Sequence, residues 1–116
     1  MHKIKLLVLI LLFFVVQAKA CPEKSDTLYA LNYKPGPAWQ KGIEIWNQDL
    51  AAHGEYMKSL NDKGLIKVAG PFTDSSGGMA ILCTTKEAAI EILSKDPSIT
   101  KGVFVGEVKE WYIAFQ

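Results

Sequence analysis

The chain has 116 residues, 13 basic against 12 acidic side chains, a formal charge of +1 and no arginine. The first 20 residues hold Lys3, Lys5 and Lys19, so the remaining 96 carry ten lysines against twelve carboxylates, a net of −2. That balance argues against nucleic-acid or polyanion binding, and the length allows one domain with a single small core.

Met1 to Lys5 is a short basic stretch, Leu6 to Val16 is uninterrupted apolar sequence, and Gln17-Ala18-Lys19-Ala20 ends in small residues. This is the layout of a secretory signal peptide over residues 1–20, which makes residues 21–116 a single periplasmic or secreted domain. Eleven helical residues reach only about 16 Å against a hydrocarbon core of about 30 Å, so no membrane span is expected. Cys21 would be the first mature residue, where bacterial lipoproteins are acylated, and a lipid anchor there is the alternative. Ala18 and Lys19 fit an acylation motif poorly.

Thr27 to Tyr33 reads as a strand, closed by Lys34-Pro35-Gly36-Pro37. From Ala38 to Lys63 the period becomes helical, with Ile43, Trp46, Leu50, His53, Met57 and Leu60 on one face and Gly64 placed as the C-terminal cap. Leu65 to Phe72 and Met79 to Thr84 are strands joined by a hairpin loop over 73–78. Thr84 and Glu87 have capping-box spacing before a helix that turns Ala89, Ile92 and Leu93 inward and stops at Asp96-Pro97. Val103 to Phe115 is the last strand. The order βαββαβ predicts an α+β ferredoxin-like sandwich.

Two helices cover one face of a four-stranded sheet, and a bare face should alternate apolar with polar. Leu28-Tyr29-Ala30-Leu31, Met79 to Cys83 and Trp111 to Phe115 are instead apolar at both parities. A second subunit packed sheet to sheet is the simplest cover, so a homodimer is expected.

His53 is the only histidine after the leader. It is either a core histidine with one hydrogen bond or a pocket residue. Asp49 lies four residues earlier and could reach the ring from the same helical face. Gly54 costs about 1 kcal/mol of helix propensity relative to alanine, either to allow close packing or to leave room for a ligand. One histidine with scattered carboxylates is too few ligands for a metal, and no phosphate loop or nucleophile elbow is present. Cys83 is mid-strand, inert or half of a disulfide; an oxidising compartment permits a Cys21–Cys83 bridge. Trp39, Trp46 and Trp111 belong to the core, an interface or a pocket wall.

His53, Gly64, Ala69-Gly70-Pro71, Asp96-Pro97 and Gly102-Val103, in this order and at these intervals, resemble the YciI-like (YCII-related) family over about Leu28 to Phe115. The resemblance implies a dimeric α+β barrel of ferredoxin-like subunits. It also implies a His–Asp pair, here His53 and Asp96, in a pocket near the dimer interior, with Gly70 and Pro71 shaping its wall. Most members of the family have no assigned reaction; one relative eliminates chloride from a chlorinated hydroquinone, and others on the same fold act on lactones or oxidise small aromatics. Two positions depart from the family: Leu50 replaces a common arginine, which argues against anionic substrates, and Ser98 replaces an aromatic.

The expected function is that of a cofactor-independent lyase or isomerase acting on a small molecule, with His53 as general acid/base and Asp96 fixing its tautomer. The alternatives are a periplasmic small-ligand-binding module using the same pocket without turnover, and a structural dimer. Whether His53 pairs with Asp96 or with Asp49 separates the family's dyad from a local helix contact.

Overall fold

The computed structural model describes Cys21 and residues 26–116, so the signal-peptide reading of residues 1–20 lies outside the described residues. Strands β1 (Thr27–Pro35), β2 (Ile66–Pro71), β3 (Gly78–Leu82) and β4 (Phe104–Tyr112) form one sheet in the order β2-β3-β1-β4. Every neighbouring pair is antiparallel, with Tyr33 opposite Gly78 on one side and Gly106 on the other. Helix α1 (Ala51–Asp62) lies in the first crossover, and α2 (Lys86–Lys95) with the single-turn α3 (Pro97–Thr100) in the second. This is the expected ferredoxin-like α+β arrangement.

Alternation along the strands sends Leu31 and Tyr33, Ala80 and Leu82, and Phe104 to the helix-covered face, where they meet Ala89 and Leu93 of α2. Each fully buried leucine there contributes roughly 1.5–3 kcal/mol. Gly106 permits the close approach of α2, since a Cβ at that position would lie 2.8 Å from Leu93 Cδ1. The opposite face has a buried patch of Leu28, Ala30 and Ile81 flanked by Cys83 and Ile113. Around that patch Val68, Met79, Val105 and Trp111 remain exposed. A disulfide joins Cys21 to Cys83, with Cα atoms 5.4 Å apart and a sequence separation of 62. It ties the segment before β1 to the end of β3, and it occupies the sulfur that a lipid thioether on Cys21 would need.

Two expectations are corrected. The helix expected from Ala38 begins only at Ala51. Gly36 N–H and Ala38 N–H donate to the carbonyls of Val103 and Gly102, Trp39 N–H closes a turn on Gly36 O, and Gly42 takes φ +77°. The buried Gln48 amide then organises residues 40–48, accepting from Gln40 N–H and donating to the carbonyls of Gln40 and Ile43. Only a 3-10 turn, Ile45–Asn47, forms in this stretch. The cap of α2 is Thr85 rather than Thr84: Thr85 Oγ1 accepts from Ala88 N–H, which leaves Glu87 in the first turn and no reciprocal box. Gly64 does close α1, at φ +74°, with Leu65 N–H reaching back to Leu60 O.

Candidate functional site

Asp96 sits where α2 ends and α3 begins. Its side chain caps α3 by accepting from Ser98 N–H at 2.9 Å, and Pro97 occupies the first helical position, where no N–H is needed. Ser98 Oγ donates to the same oxygen at 2.8 Å. Tyr33 OH, reaching from β1, donates to the other oxygen at 2.9 Å. His53 Nδ1, from the first turn of α1, lies 2.9 and 2.8 Å from the two oxygens. Four donor groups therefore converge on a carboxylate that is fully buried.

A carboxylate held by so many donors stays ionised. Burial pushes the Asp96 carboxyl up, but the His53 bond and charge, with both Ser98 donors, outweigh it and hold Asp96 below the ordinary carboxylate range. Burial and the Asp96 charge together push the Tyr33 phenol well above its ordinary value, so it remains a donor. An ionised carboxylate can only accept, which places a proton on His53 Nδ1 in either charge state of the ring. Nε2, on the opposite edge, is left for the space that His53 lines.

That space is a cavity of about 530 Å³. Its walls come from the residues before α1 (Ile45, Trp46), from α1 itself (His53, Gly54, Met57) and from the β2–β3 hairpin, including Gly70 and Pro71. Tyr33 and Phe104 close the side beneath the imidazole, with ring centroids 5.3 and 5.7 Å from it and edge-on packing. Trp39 stacks on Phe104 at 5.5 Å from the other direction. Ser75 Oγ, in the hairpin loop, accepts from Ile45 N–H and so fastens the hairpin to the segment before α1.

The predicted pair His53–Asp96 is thus brought together, and Gly70 and Pro71 do line the cavity. Asp49 does not: it is exposed and lies 3.9 Å from Lys101 Nζ. Because α1 starts at Ala51, Asp49 never occupies a helical position from which to reach His53. The cavity lies on the helix-covered side of the sheet, against Tyr33, Ala80 and Phe104. Sequence reasoning missed Tyr33 and Ser98. Asp-Pro-Ser carries an N-cap signal that would have pointed to Ser98, whereas nothing local links Tyr33 to a carboxylate 63 residues away. Among the described residues no group of three or more His, Cys, Asp or Glu side chains is placed to hold a metal ion, and no helix is long and apolar enough to cross a membrane.

Comparison with known proteins agrees with this fold. The uncharacterized protein YjpA of Bacillus subtilis (strain 168) is 34% identical over 70 residues, covering 59% of this chain and 82% of that protein. The solved structure of 5-chloro-2-hydroxyhydroquinone dehydrochlorinase (TftG) from Burkholderia phenoliruptrix AC1100, in complex with 2,5-dihydroxybenzoquinone, superposes with a TM-score of 0.55. Its identity is 23%, over 72% of this chain and 92% of the enzyme, so the fold is shared. The profile of the YCII-related domain matches residues 13–112, and the chain belongs to that family.

Proposed function

We propose that the protein is an exported small-molecule enzyme of lyase or isomerase type, in which His53 moves a proton and Asp96 orients it. The observation that carries this reading is the buried carboxylate on Nδ1, which leaves Nε2 for a cavity of ligand size. In the forward step Nε2 takes a proton from an acidic C–H or O–H of the substrate. The electron pair left behind forms a double bond, and either a leaving group departs with its own pair or the imidazolium returns the proton to another carbon. Asp96 stabilises the imidazolium throughout. The dehydrochlorinase named above, on the same fold, performs an elimination of the first kind, which supports the lyase class.

Two further features belong to this reading. The Cys21–Cys83 disulfide favours an oxidising compartment and therefore export. The exposed Val68, Met79, Val105 and Trp111 on the bare sheet face favour a homodimer formed through that face. Sedimentation of the mature protein should give a dimer that Trp111→Lys converts to monomer; a wild-type monomer at micromolar concentration would refute the assembly. Intact mass of the exported protein should begin at Cys21. Incubation with chlorinated hydroxyhydroquinones and other carbon acids, followed by product analysis, should show turnover that His53→Ala abolishes. Equal turnover by His53→Ala would remove the proposed chemistry.

A further inference from the structure

The nine glycines divide by the reason each position needs one. Gly42, Gly64, Gly77 and Gly102 adopt positive φ. Gly36, Gly78 and Gly106 lie so close to neighbouring atoms that a Cβ would come within about 3 Å of them. Gly54 and Gly70 have neither reason: their φ is ordinary and an added Cβ would meet nothing within 4 Å. Both line the cavity. Gly54 is the more telling, because it is helical. The residues of α1 and its N-cap that line the cavity are Leu50, Ala51, His53, Gly54 and Met57, the spacing of one helical face, and Gly54 lies in the middle of that face beside the imidazole. A helix interior disfavours glycine, and here no packing contact requires it.

The polar inventory of the cavity narrows what fills this room. Among the lining residues there is no lysine, aspartate or glutamate. The Gln48 amide is committed to the carbonyls and N–H of its own loop, and Tyr33 OH to Asp96. His53 Nε2 remains in the wall, with the exposed Trp46 indole at the rim. The His53–Asp96 pair has net charge zero when the imidazole is protonated and −1 when it is not, so an anion gains no net attraction. A charged ligand of either sign would also lose its hydration with only His53 Nε2 and the rim indole to replace it.

We propose that Gly54 is the specificity-determining residue of this site: its missing side chain admits a neutral, flat, largely apolar ring carrying one acidic O–H or C–H to His53 Nε2. The proposal rests on the acid/base reading of His53 given above. Gly54 sets the size of the ring, and the lack of a cavity cation sets its charge.

The test uses the mature protein with phenol, 2-naphthol and 2-naphthoate as probes, followed by the ring ¹⁵N and ¹H shifts of His53, alongside thermal unfolding. In the wild type both alcohols should shift Nε2, and 2-naphthoate should bind about tenfold more weakly than 2-naphthol or worse. Gly54→Ala should unfold at a higher temperature, because the helix gains propensity and the methyl enters open space. It should nevertheless bind 2-naphthol about tenfold more weakly while phenol changes less than about threefold. A lower unfolding temperature for Gly54→Ala would overturn the open-space premise, and unchanged 2-naphthol affinity would overturn its role in specificity. Preference for 2-naphthoate would overturn the neutral-ligand assignment. If His53→Ala binds all three probes as the wild type does, or none shifts Nε2, the acid/base pocket itself fails. Binding at His53 that ignores Gly54→Ala defeats only the present inference.

Discussion

Replacing Asp96 by asparagine keeps the shape of the side chain and removes its charge. The amide oxygen can still accept from Ser98 N–H and Oγ, which both address one oxygen in the native site. The amide nitrogen then confronts Tyr33 OH and His53 Nδ1, two groups that donate to Asp96. Tyr33 can rotate its hydroxyl to accept, but His53 can accept only by giving up the proton on Nδ1. Two hydrogen bonds to a charged acceptor become neutral ones, a loss of about 1–1.5 kcal/mol each, or about 2–3 kcal/mol together. For a domain of this size that lowers the unfolding temperature by roughly 10–20 °C.

The pH dependence has a definite sign. Asp96 is held below the ordinary carboxylate range in the folded protein, so the unfolded chain takes up its proton first as pH falls. Its stabilising contribution is complete above the unfolded value of about 3.9 and is lost as pH drops through the lower folded value. Urea unfolding followed by circular dichroism should therefore show a wild-type advantage over Asp96→Asn at neutral pH that closes on acidification below about pH 4. A neutral-pH difference under about 0.5 kcal/mol, or one that persists unchanged into strong acid, would refute the reasoning.

Tyr33→Phe removes one donor from Asp96 and should raise its carboxyl value toward the ordinary range, read by side-chain ¹³C titration, at a cost of about 1–2 kcal/mol. Gly77→Ala should destabilise the fold by about 3 kcal/mol or more, because φ is +132° and the new Cβ would strike the Tyr33 carbonyl oxygen; urea midpoints measure it. Cys83→Ser opens a disulfide spanning 62 residues, for which chain entropy gives a loss of about 4 kcal/mol. A reductant should lower the wild-type midpoint similarly and leave the variant unchanged.

The strands and their order were legible because β1 and β4 combine β-branched with aromatic residues, while Gly and Pro mark the end of β1, both ends of β2 and the starts of β3 and β4. The face of α1 was legible from Leu50 onward, where the 3.6-residue period and the real helix coincide. Before Leu50 the same period persists through Ile43 and Trp46 without a helix, since Gly42, the turn over residues 36–39 and the Gln48 amide supply other partners for the backbone. Ile43 and Trp46 are both exposed, so the period in that segment marks neither a helix nor an inward face. The same error put Asp49 beside His53. At the site, His53 and Asp96 could be paired only through the family's motif order, as 43 residues separate them. Tyr33 was read as a strand residue, and its role follows from the need of a buried hydroxyl for an acceptor, which only the assembled fold identifies.

The central claim is that Asp96 fixes the proton on His53 Nδ1 and so presents Nε2 to the cavity as the acid/base atom. Long-range ¹H–¹⁵N NMR of the neutral His53 ring tests it most directly. The account predicts the Nδ1–H tautomer in the wild type, with Nε2 unprotonated and shifting when 2-naphthol is added, and loss of that tautomer in Asp96→Asn. An Nε2–H tautomer in the wild type, or a ring indifferent to both the probe and the substitution, would contradict it.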